Sequence, residues 1–203
     1  MRLEISGLSK SYDGKKVLDR VSFTVEEQKG LCIMGPSGCG KTTLFRILLG
    51  LERADEGRIE GIHAQSVAAV FQEDRLLENL SAVKNVWLVC GKTVNENEIR
   101  RQLSEILPKE ALDKPVRHLS GGMRRRVALV RAVMKESNLL IMDEPFTGLD
   151  EETKKKVIAY LKKTVDKKIF LFSTHQEQDA ALLDTKIYRM QSGIYYESLG
   201  QQS

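Results

Sequence analysis

Short, uninterrupted apolar runs separated by amphipathic stretches recur along this 203-residue chain, a pattern that predicts buried parallel strands joined by helices. Leu31-Cys32-Ile33-Met34, Val67 to Phe71, Leu139 to Met142 and Lys168 to Ser173 read as core strands, because most of their positions are apolar rather than every second one. The first run passes through a glycine-rich turn into a helical pattern from Thr42 to Leu49, which Gly50 ends. Residues 2–9, 16–25 and 58–61 read as shorter strands of a small mixed sheet, with turns at Tyr12-Asp13-Gly14 and between Glu26 and Gly30. From Leu76 to Lys135 the chain is mainly helical, with an irregular link around Pro108 to Pro115. Residues 151–168 place Val157, Leu161 and Val165 on one face and predict an amphipathic helix. The expectation is an α/β core interrupted by a helical insertion, without internal repeats.

The length fits one sizeable domain able to bury a core without staples. Three cysteines, Cys32, Cys39 and Cys90, lack metal-ligand spacing and favour a reducing compartment. The start, Met1-Arg2-Leu3-Glu4-Ile5, lacks the pattern of a secretion signal, and no run reaches membrane-spanning length, so a membrane role would require a partner. The formal charge of +4 does not indicate a nucleic-acid binder. Seven lysines (154, 155, 156, 162, 163, 167 and 168) stand against Glu151, Glu152 and Asp166; without interleaved aromatics they read as a solvated helix face.

The turn after the first core run reads Gly35-Pro36-Ser37-Gly38-Cys39-Gly40-Lys41-Thr42-Thr43 and fits a phosphate loop. Gly35, Gly38 and Gly40 let backbone amides wrap an anion, Lys41 can bridge terminal phosphates, and the Thr42 hydroxyl can meet Mg²⁺. Asp143, at the end of another core run, offers a second oxygen ligand, while Glu144 points elsewhere and is suited to accept a proton from water. Gln72 and His175 also follow core runs. Alone, the first is more often a surface amide and the second equally a structural imidazole. Ser120 can cap a helix whose apolar face includes Val127, Ala128, Val130 and Ala132, and Gly121 and Gly122 open its amides to an anion.

In combination and order these segments resemble the ATP-binding-cassette ATPase family over nearly the whole chain. Gly35 to Thr43 matches its Walker A motif and Leu139 to Glu144 its Walker B motif with the catalytic glutamate. Leu119 to Met123 resembles its signature, with Met for the commoner final Gln. Gln72 matches the Q-loop, Thr147-Gly148-Leu149-Asp150 the D-loop, His175 the switch histidine, and Tyr12 the adenine-stacking aromatic, with Val17 nearby. The resemblance implies a P-loop nucleotide hydrolase with a RecA-like parallel-sheet core, a small antiparallel or mixed β lobe, and a helical lobe inserted at residues 76–135 of a single domain spanning 1–203.

It further implies Mg²⁺-dependent hydrolysis of ATP at the interface of a head-to-tail dimer, homodimeric or with a homologous subunit. One subunit would supply Lys41, Thr42, Gln72, Asp143, Glu144 and His175; the other would supply Ser120 and Gly122, with Asp150 linking the two sites. Family members drive membrane transporters, DNA processing or ribosome-associated work. The 48 positions from Gln72 to Ser120 leave no room for a long coiled coil, and one cassette rather than two favours a transporter subunit at the cytoplasmic face of the membrane, paired with a transmembrane permease. Val70 to Leu77 is similar to the nitrate, sulfonate and taurine importers, in which the stretch after the Q-loop glutamine forms the permease groove; here that is residues 73–90, including Leu77, Asn85 and Trp87. Leu80, Val83, Val86 and Trp87 fit lobe packing equally well, and Arg124 to Arg126 fit contact with the partner's nucleotide, electrostatic balance of its phosphates or solvation of the helix face. A nucleotide-sensing module is the remaining alternative.

Overall fold

A hairpin opens the chain: strand β1 (Arg2–Tyr12) returns antiparallel as β2 (Lys15–Glu26), with Tyr12 paired to Lys15 across Asp13-Gly14. Both turn residues have positive φ, as the mirror-image hairpin turns demand. The computed structural model describes residues 2–26, 29–61, 67–91, 94–165, 168–191 and 194–197. Asp166, Lys167, the middle of the turn expected between Glu26 and Gly30, and residues 198–203 lie outside the described residues.

Strand β4 (Glu56–Glu60) joins the other edge of β1, giving an antiparallel sheet of order β2-β1-β4. The second sheet contains β3 (Gly30–Met34), β5 (Val67–Val70), β6 (Leu139–Met142), β7 (Ile169–Ser173), β8 (Lys186–Gln191) and β9 (Ile194–Glu197), in the order β5-β6-β7-β3-β8-β9. Its first five members are parallel; β9 is antiparallel to β8.

The uninterrupted apolar strands follow from burial on both faces. Leu31, Ile33, Leu139, Ile141, Ile169 and Leu171 pack into one core with β1, β2 and helix α1 (Lys41–Leu48). Their neighbours Cys32, Met34, Leu140, Met142, Phe170 and Phe172 face a second core built with helices α2 (Ala82–Cys90), α3 (Glu96–Ser104), α4 (Gly121–Met134), α5 (Glu151–Thr164) and α6 (Glu177–Leu182). The period-two alternation of a strand sends adjacent residues into different cores. Helix α2 packs against α3 and α4, and Pro108 and Pro115 precede short 3₁₀ turns at Lys109–Ala111 and Val116–His118. The parallel core, antiparallel lobe and helical insertion agree with the fold class read from the sequence.

Helix α5 corrects one expectation. The helix ends at Thr164 rather than running to 168, and of its expected solvated lysines one is buried and another half-buried. Lys154 is buried, with its ammonium beside Asp179 and donating to Gln176. Lys168 lies at the entry to β7 and donates to the carbonyls of Val133 and Lys135 and to Ser137. There it satisfies carbonyls that the end of α4 leaves open.

Candidate nucleotide site

Parallel sheets present ligand groups at the carboxyl ends of their strands, and the ends of β3, β5 and β6 here converge on one cavity, with the end of β7 beside an adjoining one. The loop after β3 winds into α1 through Gly40, whose φ of 106° is open to glycine but not to ordinary residues. A Cβ on Gly35 would lie 2.2 Å from the Met190 carbonyl oxygen, so this loop is pressed against β8. Gly38, by contrast, has φ 79° and open space where a side chain would be. Lys41 is buried and curls back, its ammonium donating to the carbonyls of Gly35 (2.7 Å) and Pro36 (3.1 Å).

The acidic half comes from β6. Asp143 Oδ2 accepts a bond from Thr42 Oγ1 at 2.8 Å, while Asp143 Oδ1 accepts one from Ser173 Oγ at 2.6 Å. Ser173 also accepts from the Glu144 amide at 2.8 Å, and Glu144 has φ 49°. That left-handed conformation turns the Glu144 side chain away from Asp143 and toward His175, whose Nε2 is 2.8 Å from Glu144 Oε1. Thr147 donates to the other Glu144 oxygen at 3.3 Å.

Val17, Ser37, Gly38, Gly40, Lys41, Thr42, Thr43, Gln72, Asp143 and Glu144 line a cavity of about 360 Å³. Cys39 is not among them; it is buried within the loop, 4.0 Å from Lys41 Nζ. His175 and Glu144 share an adjoining cavity of about 290 Å³ with Thr147, Lys154 and Asp179. Tyr12 stands beside the site, donating to Glu52 and next to Thr43. Desolvation, then the bond to Glu52, raises its pKa and keeps the phenol protonated.

The described residues contain no group of three or more His, Cys, Asp or Glu poised to hold a metal. Thr42 and Asp143 instead place a hydroxyl and a carboxylate within 2.8 Å of each other, hard oxygen donors suited to Mg²⁺ that arrives with phosphates and water.

The remaining expected residues lie elsewhere. Ser120 caps α4 by accepting from the Met123 amide at 3.3 Å, and neither it, Gly121 nor Gly122 lines the phosphate-loop cavity. A Cβ on Gly122 would come within 3.3 Å of the Gly148 carbonyl oxygen, so the start of α4 sits beside the turn leading to Asp150. Asp150 caps α5, accepting from the Thr153 amide (2.9 Å) and hydroxyl (2.7 Å); these bonds lower its pKa.

The family model described as ABC transporter matches residues 18–147, more than half of the chain and the segment that carries most of this cavity. The chain belongs to the ABC transporter ATP-binding-cassette family. It is 35% identical over 94% of its length to a spermidine/putrescine import ATP-binding protein of Spiroplasma citri and 32% identical over 95% to a sulfate/thiosulfate import ATP-binding protein of Bordetella pertussis. It spans 59% and 60% of the length of those two relatives. An aliphatic sulfonates import ATP-binding protein of Paraburkholderia xenovorans is 36% identical, with 95% of this chain and 78% of that protein covered. The dimeric structure of a bacterial ABC transporter cassette superposes with a TM-score of 0.84 at 26% identity, covering 98% of this chain and 99% of the other. A post-hydrolysis ATP-binding-cassette dimer bound to ADP and phosphate shares the fold, with a TM-score of 0.85 at 24% identity. The core is therefore the RecA-like core of an ABC cassette.

Against this ABC framework, three features of the site escape a reading of the sequence. Ser173, which joins Asp143 to Glu144, is a single hydroxyl at the end of an apolar run. Asn85, expected in a groove, is buried; its side chain binds the backbone of Leu77, Leu80 and Ser81 and shapes the entry to α2. Val83 and Val86 pack inside, while Leu77, Trp87, Leu88 and Val89 remain exposed. Arg125 is neither solvated nor at the cavity; it is buried against the loops that carry Gln72 and Glu144. Its position had a signal: Arg125, Ala128, Leu129 and Ala132 fall on one buried helical stripe.

Proposed function

We propose that this chain is the ATP-binding and hydrolysing subunit of a membrane transporter, a Mg²⁺-dependent ATPase. The observation that carries this reading is the run of contacts from Thr42 through Asp143 and Ser173 to Glu144 and His175, beside a glycine-rich phosphate loop. Amides of Ser37 to Thr43 and the start of α1 bind the phosphates, with Lys41 turning from its own loop carbonyls toward the β- and γ-phosphates. Thr42 and Asp143, with Gln72 through water, would hold Mg²⁺, which supplies charge neutralisation on phosphate oxygens.

Water attacks the γ-phosphorus in line as the bond to the bridging oxygen breaks and ADP departs. Glu144 accepts the water proton, and His175 orients that carboxylate and stabilises charge on the transferring phosphoryl group. No covalent intermediate is needed.

Ser120, Gly121 and Gly122 lie outside the cavity of their own chain, which favours their acting on ATP held by a second copy or a homologous subunit. Asp150, beside that surface, would join the two sites. On this reading the chain is a single cassette domain over 1–203, residues 76–135 form its inserted helical lobe, and closure of the dimer drives transport. Tyr12 would stack on adenine next to Val17.

Among the described residues no helix is long and apolar enough to cross a membrane. On the transporter reading, permease subunits span the membrane and the chain works peripherally at its cytoplasmic face. Trp87 and Leu88, exposed on an apolar cavity of about 310 Å³, together with exposed Leu77, are the surface proposed to meet the permease. The sulfonate relative favours kinship with nitrate, sulfonate and taurine importers. The different cargoes named for the polyamine and sulfate relatives favour assigning cargo choice to the partners rather than to this chain.

Mg²⁺-dependent phosphate release tests the proposal. The wild type should turn over and Glu144→Gln should bind ATP with little hydrolysis. No turnover even with assembled partners points instead to a nucleotide sensor. Affinity capture from membranes should recover a multispanning protein; ribosomes or nucleic acid in its place would refute the transport reading.

A further inference from the structure

On the ATPase reading, Arg125 joins two loops of the site. This side chain belongs to the second turn of α4, and only 4% of the residue is exposed. Its Nη2 donates to the carbonyls of Asp143 (2.8 Å) and Glu144 (2.6 Å), and its Nε to that of Pro145 (3.2 Å). On the other side Nη1 donates to the carbonyls of Phe71 and Gln72 and lies 3.3 Å from Asp74 Oδ1. Among the described residues it is the one side chain that hydrogen-bonds to both loops.

We propose that Arg125 is a positioning residue, fixing the Glu144 carboxylate relative to the Gln72 amide across the phosphate cavity. Glu144 occupies a backbone conformation that costs energy and persists only where its surroundings over-determine it. Its peptide is held at both ends: the amide by Ser173 and the carbonyl by Arg125. The same guanidinium holds Phe71 and Gln72, so the two loops cannot shift independently. A planar group with five donors in a rigid fork can span them; a lysine, whose three donors radiate from one nitrogen, cannot. Burial lowers the pKa of Arg125, while Asp74, Asp143 and Glu144 oppose that shift and keep the cation in place.

The test compares wild type, Arg125→Lys and Arg125→Met in the full chain, measuring nucleotide affinity, the kcat–KM split and amide hydrogen exchange. A displaced base costs about 10²-fold in turnover when groups move by roughly an ångström. Accordingly kcat should fall by about that factor in Arg125→Met and at least about tenfold in Arg125→Lys, with KM and ATP affinity within about threefold of wild type. Exchange should accelerate at residues 71–74 and 143–147 but not at 37–43. Retention of kcat within about threefold would overturn the proposal, as would a parallel loss of ATP affinity with deprotection of the phosphate loop. If Arg125→Met does not fold, Arg125→Lys is judged by the same criteria. A wild type without Mg²⁺-dependent turnover even with assembled partners would refute the hydrolase reading itself, a result distinct from failure of the Arg125 assignment.

Discussion

Ser173→Ala removes one oxygen from the centre of the proposed catalytic network. That hydroxyl is fully buried; it donates to the Asp143 carboxylate at 2.6 Å and accepts from the Glu144 amide at 2.8 Å. A hydrogen bond to a charged group contributes about 1.5–3 kcal/mol and a neutral one about 0.5–1.5, so the loss is about 2–4 kcal/mol. For a domain of this size each kcal/mol moves Tm by about 2–4 °C, which predicts a fall of roughly 4–15 °C without nucleotide. Thr42→Ala is the internal control. It deletes a bond to the same carboxylate, but at an exposed residue whose partner can turn to water, and should cost about 1 kcal/mol or less. Scanning calorimetry of the two variants reads the difference directly. A Ser173→Ala shift no larger than that of Thr42→Ala would refute the view that Ser173 secures both acidic residues.

Ser120→Ala should abolish ATP-dependent dimerisation of a Glu144→Gln background while monomer affinity stays within about threefold, measured by light scattering and equilibrium binding; loss of its helix cap adds about 1 kcal/mol of destabilisation in urea titrations. Equal losses of dimerisation and monomer affinity would contradict action on a second copy. Lys154→Met should cost about 3 kcal/mol in the same titrations, at the low end for a broken buried pair because a cavity adjoins it, and Asp179→Asn in the same chain should recover part of that cost. Chelation of Mg²⁺ should eliminate phosphate release and weaken ATP binding in wild type, with a smaller effect on binding by Asp143→Asn, as isothermal titration would show. Leu88→Asp should reduce recovery of a membrane partner in affinity capture; undiminished recovery would move the permease surface elsewhere.

The sequence is most legible where one local pattern has one physical solution. Continuous apolar runs require two-sided burial, and β3, β6 and β7 obey it; the spacing of Gly35, Gly40 and Lys41 likewise fits a strand, turn and helix in succession. What stays hidden depends on registration between distant segments. Ser173 reaches Asp143 because β6 and β7 pair with Met142 opposite Phe172, and nothing near Ser173 in the sequence announces that neighbour. Lys168 extends the helical spacing of Val157, Leu161 and Val165, yet the chain has already turned after Thr164 and carries the ammonium to the end of α4. Arg124, Arg125 and Arg126 look alike in sequence; only the orientation of α4 separates the buried guanidinium from its neighbours. Trp87 and Val86 are likewise adjacent and apolar, and the packing of α2 on α4 decides which of them is covered.

The contact between Gly35 and Met190 bears on the order in which function appears during synthesis. The phosphate loop leaves the ribosome first, and the strand that floors it comes from more than 150 positions later, with Met190 also closing on Gly40. A nascent chain holding every glycine and Lys41 would still lack the surface against which the loop takes its shape. Nucleotide binding is thus expected to switch on late and abruptly in translation, and stalled chains ending before Met190 should pass through the ATP-rich cell without capturing it.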